Sequence, residues 1–261
     1  MNSLEGKNVL VTGGGSGIGY TIAHAFEAAG AMVWVCDIDR DRIDELNASG
    51  RKIRGQVADA GSEQEVDDLF VALRNETDGK LDILINNAGI SGPNGPLETL
   101  PLQSWLDTLR VNLISTFLCC RQALPAMKER RSGSIVNLSS TAGTHGYPLR
   151  TPYASAKWGI IGLTKSLAME VGGYGIRVNA ICPGPVSGAR MDRVIDDEAK
   201  TRGVDQSKVR EQFVSQISLK SFVEAEDIAQ MALFICSKRG AKISGQALSV
   251  DGNTESLSLI D

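Results

Sequence analysis

The chain is short of several things that would otherwise direct a reading of its function. It has two histidines and five cysteines (Cys36, Cys119, Cys120, Cys182, Cys236), with no C-x-x-C among them. That is little material for a zinc site, and the chain reads as metal-free. An odd cysteine count without paired spacing builds no disulfide framework, so the chain reads as reduced and cytoplasmic. No apolar run approaches the ~20 residues that span a bilayer. The opening "MNSLEGKNVLV" lacks a signal peptide's basic start and long apolar core. Positive charge is not in excess either: 27 Lys and Arg stand against 31 Asp and Glu, a net of −4. This speaks against nucleic acid and anionic membranes as partners. Within these limits, 261 residues at 42% hydrophobic and 22% charged describe one ordinary globular domain, residues 1–261.

What is present is an alternation of short β-rich runs with helical patterns, the mark of a parallel sheet built from βαβ units. The strands are expected at 7–12, 31–37, 52–59, 81–87, 133–140, 175–182 and 246–252. Several are apolar at consecutive positions, as when helices cover both sheet faces. In the helix over 104–131, Leu106, Leu109, Leu113, Phe117, Cys120 and Leu124 recur every three or four residues and predict one buried stripe. Leu118 and Cys119 fall off that stripe, as Trp158 and Ile161 do on the helix over 152–170. Residues 187–218 break the alternation with two polar helical patterns, read as a lid inserted over a site.

Five glycines fall within residues 13–19, "GGGSGIG", between a buried strand and a helix. G-x-x-x-x-G-K-[ST] fails because no lysine follows, and G-x-G-x-x-G fails because Tyr20 stands where its third glycine would. The spacing that fits is Thr12-Gly13-x-x-x-Gly17-x-Gly19. Glycines there let the backbone approach a pyrophosphate at a helix N-terminus, where free N–H groups and the dipole favour negative charge. Asp37 closes the second strand about twenty residues on, placed to accept hydrogen bonds from ribose hydroxyls and to repel a 2′-phosphate. NAD is therefore expected over NADP, with Arg40 the residue that could reverse the preference.

In "TPYASAKWG", Tyr153 and Lys157 are spaced i, i+4 and share one helix face. A phenol's reference pKa is about 10, so bringing it to neutrality takes ~4 kcal/mol of preferential phenolate stabilisation. A neighbouring ammonium and a cationic nicotinamide in a dry site can supply that. Ser140 ends the strand "SIVNLSS" thirteen residues earlier, at a carboxyl edge where α/β ligands bind. Its hydroxyl can hold a carbonyl oxygen that the tyrosine protonates. Strand alternation turns the competing Ser139 to the other face.

These residues together resemble the short-chain dehydrogenase/reductase family over nearly all of 5–252. The features in order are Thr12-Gly13-x-x-x-Gly17-x-Gly19, Asp59, "NNAG" at 86–89, Asn112, Ser140, Tyr153-x-x-x-Lys157, "PG" at 183–184 and "VDG". The resemblance implies a Rossmann-type doubly wound α/β domain, with a seven-stranded parallel sheet flanked by helices on both faces. It implies Tyr153 as general acid/base, Ser140 as the group that polarises the reacting oxygen, and Lys157 as the partner of the nicotinamide ribose. Asn112 would hold a water in a proton relay; an Asn in mid-helix is mildly unfavourable, which makes a special purpose credible. The cofactor would be met by Gly13, Ser16, Gly17, Ile18, Gly19, Asp37, Ile38, Asp59, Asn87, Ala88, Gly89, Tyr153, Lys157, Pro183, Gly184 and Val186. Two positions depart from the pattern: Gly188 stands where members commonly carry a threonine, and Asn253 where a second glycine follows "VD".

The activity expected is NAD-dependent interconversion of a secondary alcohol and a ketone. The alternatives are an NADPH-dependent 3-oxoacyl-thioester reductase and a non-catalytic dinucleotide-binding regulator. "THGYPLRTP" joins Ser140 to the Tyr153 helix, and His145, Tyr147 and Arg150 in it point to a small polar substrate, a sugar, polyol or hydroxy acid. A guanidinium can grip a carboxylate with two parallel hydrogen bonds. A homotetramer is expected chiefly from the resemblance.

Overall fold

The computed structural model describes residues 4–258. Among them seven strands form one all-parallel sheet: β1 (Asn8–Thr12), β2 (Met32–Asp37), β3 (Ile53–Val57), β4 (Ile83–Asn86), β5 (Gly133–Leu138), β6 (Ile176–Pro183) and β7 (Ala247–Val250). Their order is β3-β2-β1-β4-β5-β6-β7. Each expected strand is found, trimmed at most by a few residues at its ends. The sheet is buried on both sides because successive side chains face opposite layers. Val9, Val11, Val33, Val35, Ile83 and Ile85 pack on α1 (Gly17–Ala28), α2 (Arg40–Ala48) and α9 (Ala225–Cys236). Leu10, Trp34, Cys36, Leu84 and Ile135 pack on α3 (Glu63–Glu76), α5 (Ser115–Arg130) and α6 (Thr151–Val171). With both faces covered, a ligand has the carboxyl edge of the strands, and the order reverses between β1 and β4, where such sheets open a crevice.

The helix after β4 corrects the expected stripe. Leu106 and Phe117 are exposed at 47% and 44%, whereas Leu118 and Cys119 are buried at 4% and 0%. The inward row is Thr108, Asn112, Ser115, Cys119, Ala123 and Met127, mostly small or polar residues. Small side chains let this helix lie close to its neighbours, and Leu106 and Phe117 are left outside, while Cys120 is buried and Leu124 packs against the core as expected. The period also slips, because a π-turn at Arg110–Ile114 separates α4 (Leu102–Leu109) from α5. On α6, Trp158 is half exposed and Ile161 is buried.

Residues 187–218 do hold two helices, α7 (Ala189–Arg202) and α8 (Gln206–Ser215). They share a small core of Met191, Ile195, Ala199, Val209 and Phe213, apart from both sheet layers, with Tyr147 packed against it. The base is pinned where Ser187 N donates to Val223 O (2.9 Å) and Val223 N to Pro185 O (2.9 Å).

Both departures have a backbone reason. Gly188 takes φ 124°, a conformation closed to threonine, and starts α7 as its N-cap. Asn253 sits at φ 61°, in the left-handed region that Asn tolerates, and its Nδ2 donates to Ser218 Oγ (2.6 Å).

Leu118→Ala is expected to cost ~2–5 kcal/mol in denaturant unfolding, the range for truncating a buried leucine. A loss below ~0.5 kcal/mol would return Leu118 to the surface.

Candidate active site

The glycine loop leaves β1 and enters α1 without a side-chain cap at Ser16. The first N–H groups of α1 are thus free for a ligand. A Cβ on Gly13 would lie 2.9 Å from Ala88 Cα, and one on Gly19 would collide with the Gly13 carbonyl and Asn87 Nδ2. The loop is bare because a second loop, the "NNAG" turn after β4, presses on it. Asn87 Nδ2 donates to Thr12 O (3.0 Å) and Gly13 O (2.8 Å), while Thr12 Oγ1 accepts from Asn87 N and Ala88 N, both at 3.0 Å. The paired Asn is explained by two tasks. Asn86 turns inward instead, donating to Asn137 Oδ1 (2.8 Å), and Asn137 Nδ2 donates to Thr164 Oγ1 (2.9 Å).

Asp37 ends β2 beside this loop: its Oδ2 accepts from Gly15 N (2.9 Å) and its Oδ1 from Asp39 N (3.1 Å). Ile38 follows, 71% exposed. Asp59 lies beyond β3, accepting from Gly61 N (2.8 Å) and paired with Arg110 at 2.7 Å. Pro183 ends β6, Gly184 N donates to Val250 O (3.0 Å), and Val186 bridges to Val223 at the lid's base. The expected cofactor residues therefore line one edge of the sheet. A cradle that admits no Cβ, free helix N–H groups and a carboxylate at the second strand fit a dinucleotide.

Ser140 caps a short turn after β5, its Oγ accepting from Ala142 N (3.1 Å), and is half-buried. Ser139 is turned away, its hydroxyl donating to the Lys157 carbonyl (2.8 Å). Tyr153 and Lys157 lie on the first two turns of α6, with Lys157 Nζ 5.5 Å from the phenol ring's centre. Nζ is buried and donates to Leu138 O (2.8 Å). Burial, with the Arg190 charge second, pulls the Lys157 ammonium from its ordinary 10.5 down to about 7. Asn112 sits within the π-turn, where Nδ2 donates to Thr108 O (2.8 Å) and Ile90 O (3.0 Å). The side chain thus adds a donor to the Thr108 carbonyl, the one four residues before it. Its Oδ1 is buried without a partner. A Cβ on Gly89 would meet both Asn112 Oδ1 (2.6 Å) and Lys157 Nζ (3.6 Å), so these two groups face one narrow space.

The three substrate candidates divide. His145 is engaged in its own turn, Nδ1 lying 3.0 Å from Thr144 Oγ1 and 3.3 Å from Thr141 O. Tyr147 packs under the lid beside the Arg150 guanidinium, and burial pushes its phenol up. Arg150 is 2% exposed, and its Nη1 donates to Gly92 O (3.2 Å), while Nε and Nη2 have no partner. Sequence reasoning missed two cations: Arg110, on Asp59, and Arg190, whose Nη1 donates to Gly89 O (3.2 Å). Only Arg190 left a signal, a positive charge in a helix's first turn.

The family model described as enoyl-(acyl carrier protein) reductase matches residues 13–253. The chain belongs to the short-chain dehydrogenase/reductase family. It is 35% identical to a D-beta-hydroxybutyrate dehydrogenase of Rhizobium meliloti, covering 94% of this chain and 97% of that protein. It is 34% identical to a 3-oxoacyl-(acyl-carrier-protein) reductase of Thermotoga maritima, covering 95% and 98%. Among solved structures it superposes on an NAD+-bound xylitol dehydrogenase with TM-score 0.91 at 28% identity, covering 95% and 99%. An actinorhodin polyketide ketoreductase with NADPH gives 0.90 at 32%, covering 95% and 97%. This short-chain dehydrogenase/reductase is an NAD(P)-dependent oxidoreductase of CH–OH groups.

Below pH 7 the buried Lys157 ammonium costs stability in full. Between 7 and 10.5 the folded protein releases the proton while the unfolded chain keeps it, so stability rises with pH there. Lys157→Met should therefore raise the melting temperature at pH 6, with the gain shrinking toward pH 10. A gain independent of pH would show that the amine is not held at that cost.

Proposed function

We propose that this enzyme uses NAD to interconvert a secondary alcohol and a ketone on a small polar substrate, a sugar, polyol or hydroxy acid. The observation that carries the reading is the buried Lys157 amine, 5.5 Å from the Tyr153 ring's centre, on the helix that follows the strand ending at Ser140. When bound, the nicotinamide supplies the hydride acceptor or donor. Ser140 holds the substrate oxygen, and Tyr153 takes the hydroxyl proton in oxidation or returns it in reduction. Lys157 favours the phenolate by its charge, and the partnerless Asn112 Oδ1 beside it accepts the water of the relay. A regulator without turnover would have no use for a buried amine held at such cost.

NAD is favoured by the Asp37 carboxylate beside the glycine loop, where a 2′-phosphate would meet like charge. The same observation weighs against an NADPH-dependent 3-oxoacyl-thioester reductase. The polar substrate is supported by Tyr147 and by the two unpaired nitrogens of Arg150, and by relatives named for hydroxybutyrate and xylitol. The α7–α8 pair is read as the lid, since its core is separate from the sheet's and it leans on Tyr147. Five free thiols suit a reducing cytoplasm. A homotetramer is supported by the exposed apolar row of Leu102, Leu106, Phe117 and Trp158 on α4, α5 and α6, and light scattering at micromolar concentration tests it.

Tyr153→Phe should lower kcat roughly 10²–10⁴-fold while NADH affinity, read by fluorescence, stays unchanged. Activity within tenfold of the original would overturn the proton-transfer role.

Asp37→Ala should raise KM for NAD and improve use of NADP. A native enzyme that prefers NADP would defeat the cofactor assignment.

A further inference from the structure

Arg190 lies in the first turn of α7, just past Gly188, where a cation opposes the helix dipole. Among the described residues it forms no ion pair. Its guanidinium instead crosses from the lid to the loop after β4, and Nη1 donates to the Gly89 carbonyl (3.2 Å), an acceptor 101 residues away. Gly89 is also the residue whose Cβ position falls 3.6 Å from Lys157 Nζ. Two cations thus face one stretch of cleft. No carboxylate of α7 pairs with either: Asp192 is paired with Arg210, Asp196 with Lys200 and Glu198 with Arg202, while Asp197 is exposed to solvent. A positive charge placed against both the dipole and a buried amine, and open to solvent, is well placed to receive an anion.

We propose that Arg190 is a lid-borne anion clamp: it leaves the Gly89 carbonyl to grip the pyrophosphate of the dinucleotide, so that filling the cofactor site also seats α7. The proposal rests on the reading of this edge as a dinucleotide site. A pyrophosphate is favoured over a substrate carboxylate by placement. Arg190 lies four residues beyond Val186, at the end of the segment that leaves β6, whereas Arg150 is bonded to Gly92 and lies beside Tyr147. Guanidinium matches phosphate oxygens in a planar fork.

The test compares the native enzyme with Arg190→Gln and Arg190→Lys by titration with NADH and with ADP-ribose, which has the pyrophosphate but no nicotinamide. Arg190→Gln should weaken both ligands roughly tenfold, the loss of one charge-assisted contact. Arg190→Lys should recover part of it, and adenosine binding should be unaffected. The difference should narrow at high salt. Amide exchange over 189–202 should slow on NADH addition in the native enzyme and not in Arg190→Gln. Unchanged affinity of Arg190→Gln for both NADH and ADP-ribose overturns the clamp and leaves the proposed function standing. Unchanged NADH affinity with a raised KM for a hydroxy acid overturns it in favour of a substrate carboxylate. A native enzyme that binds no dinucleotide overturns clamp and function together.

Discussion

The contact on which the site depends is the seam between the loops that end β1 and β4. Asn87 gives both amide hydrogens to Thr12 and Gly13 carbonyls, and the Thr12 hydroxyl takes two backbone N–H groups in return. Four hydrogen bonds thereby fix two loops that no strand ladder joins. The seam lies where the strand order reverses, so it decides the shape of the crevice there. It also explains the missing side chains, because any Cβ at Gly13 or Gly19 would wedge the loops apart.

A second constraint is the burial of an amine. Lys157 is placed under the catalytic edge with one carbonyl for a partner, a location that disfavours its charge. The surroundings are adapted to that demand rather than to packing. The helix opposite is opened by a π-turn, its inward face carries Asn112 and Thr108, and Gly89 keeps the intervening space clear. Such costs are borne where a reaction needs them, and the two sheet layers supply the stability that offsets them.

Much of this was legible in the residues. Strand positions followed from consecutive apolar runs, and the candidate cofactor and catalytic sets from spacing: a hydroxyl at a strand's end, a phenol and an amine one turn apart. Periodicity misled in one helix. Leu106 and Phe117 have the right spacing for a core face, yet they lie outside, because close approach selected Ser, Thr, Cys and Ala for the inside and the π-turn moved the phase. Arg150 shows the converse, since nothing local distinguishes a buried arginine bonded to Gly92 from a surface one.

The sequence by itself determined the family, the sheet and the candidate reacting groups, because strand formation, tight loops and i, i+4 neighbours are local properties written in adjacent residues. Only the tertiary structure decided which side of the long helix is buried, that Asn86 and Asn87 serve opposite sides of the sheet's edge, and that Arg190 reaches Gly89 across 101 residues of chain. Those outcomes depend on which surfaces meet at van der Waals distance, and no spacing along the chain encodes that.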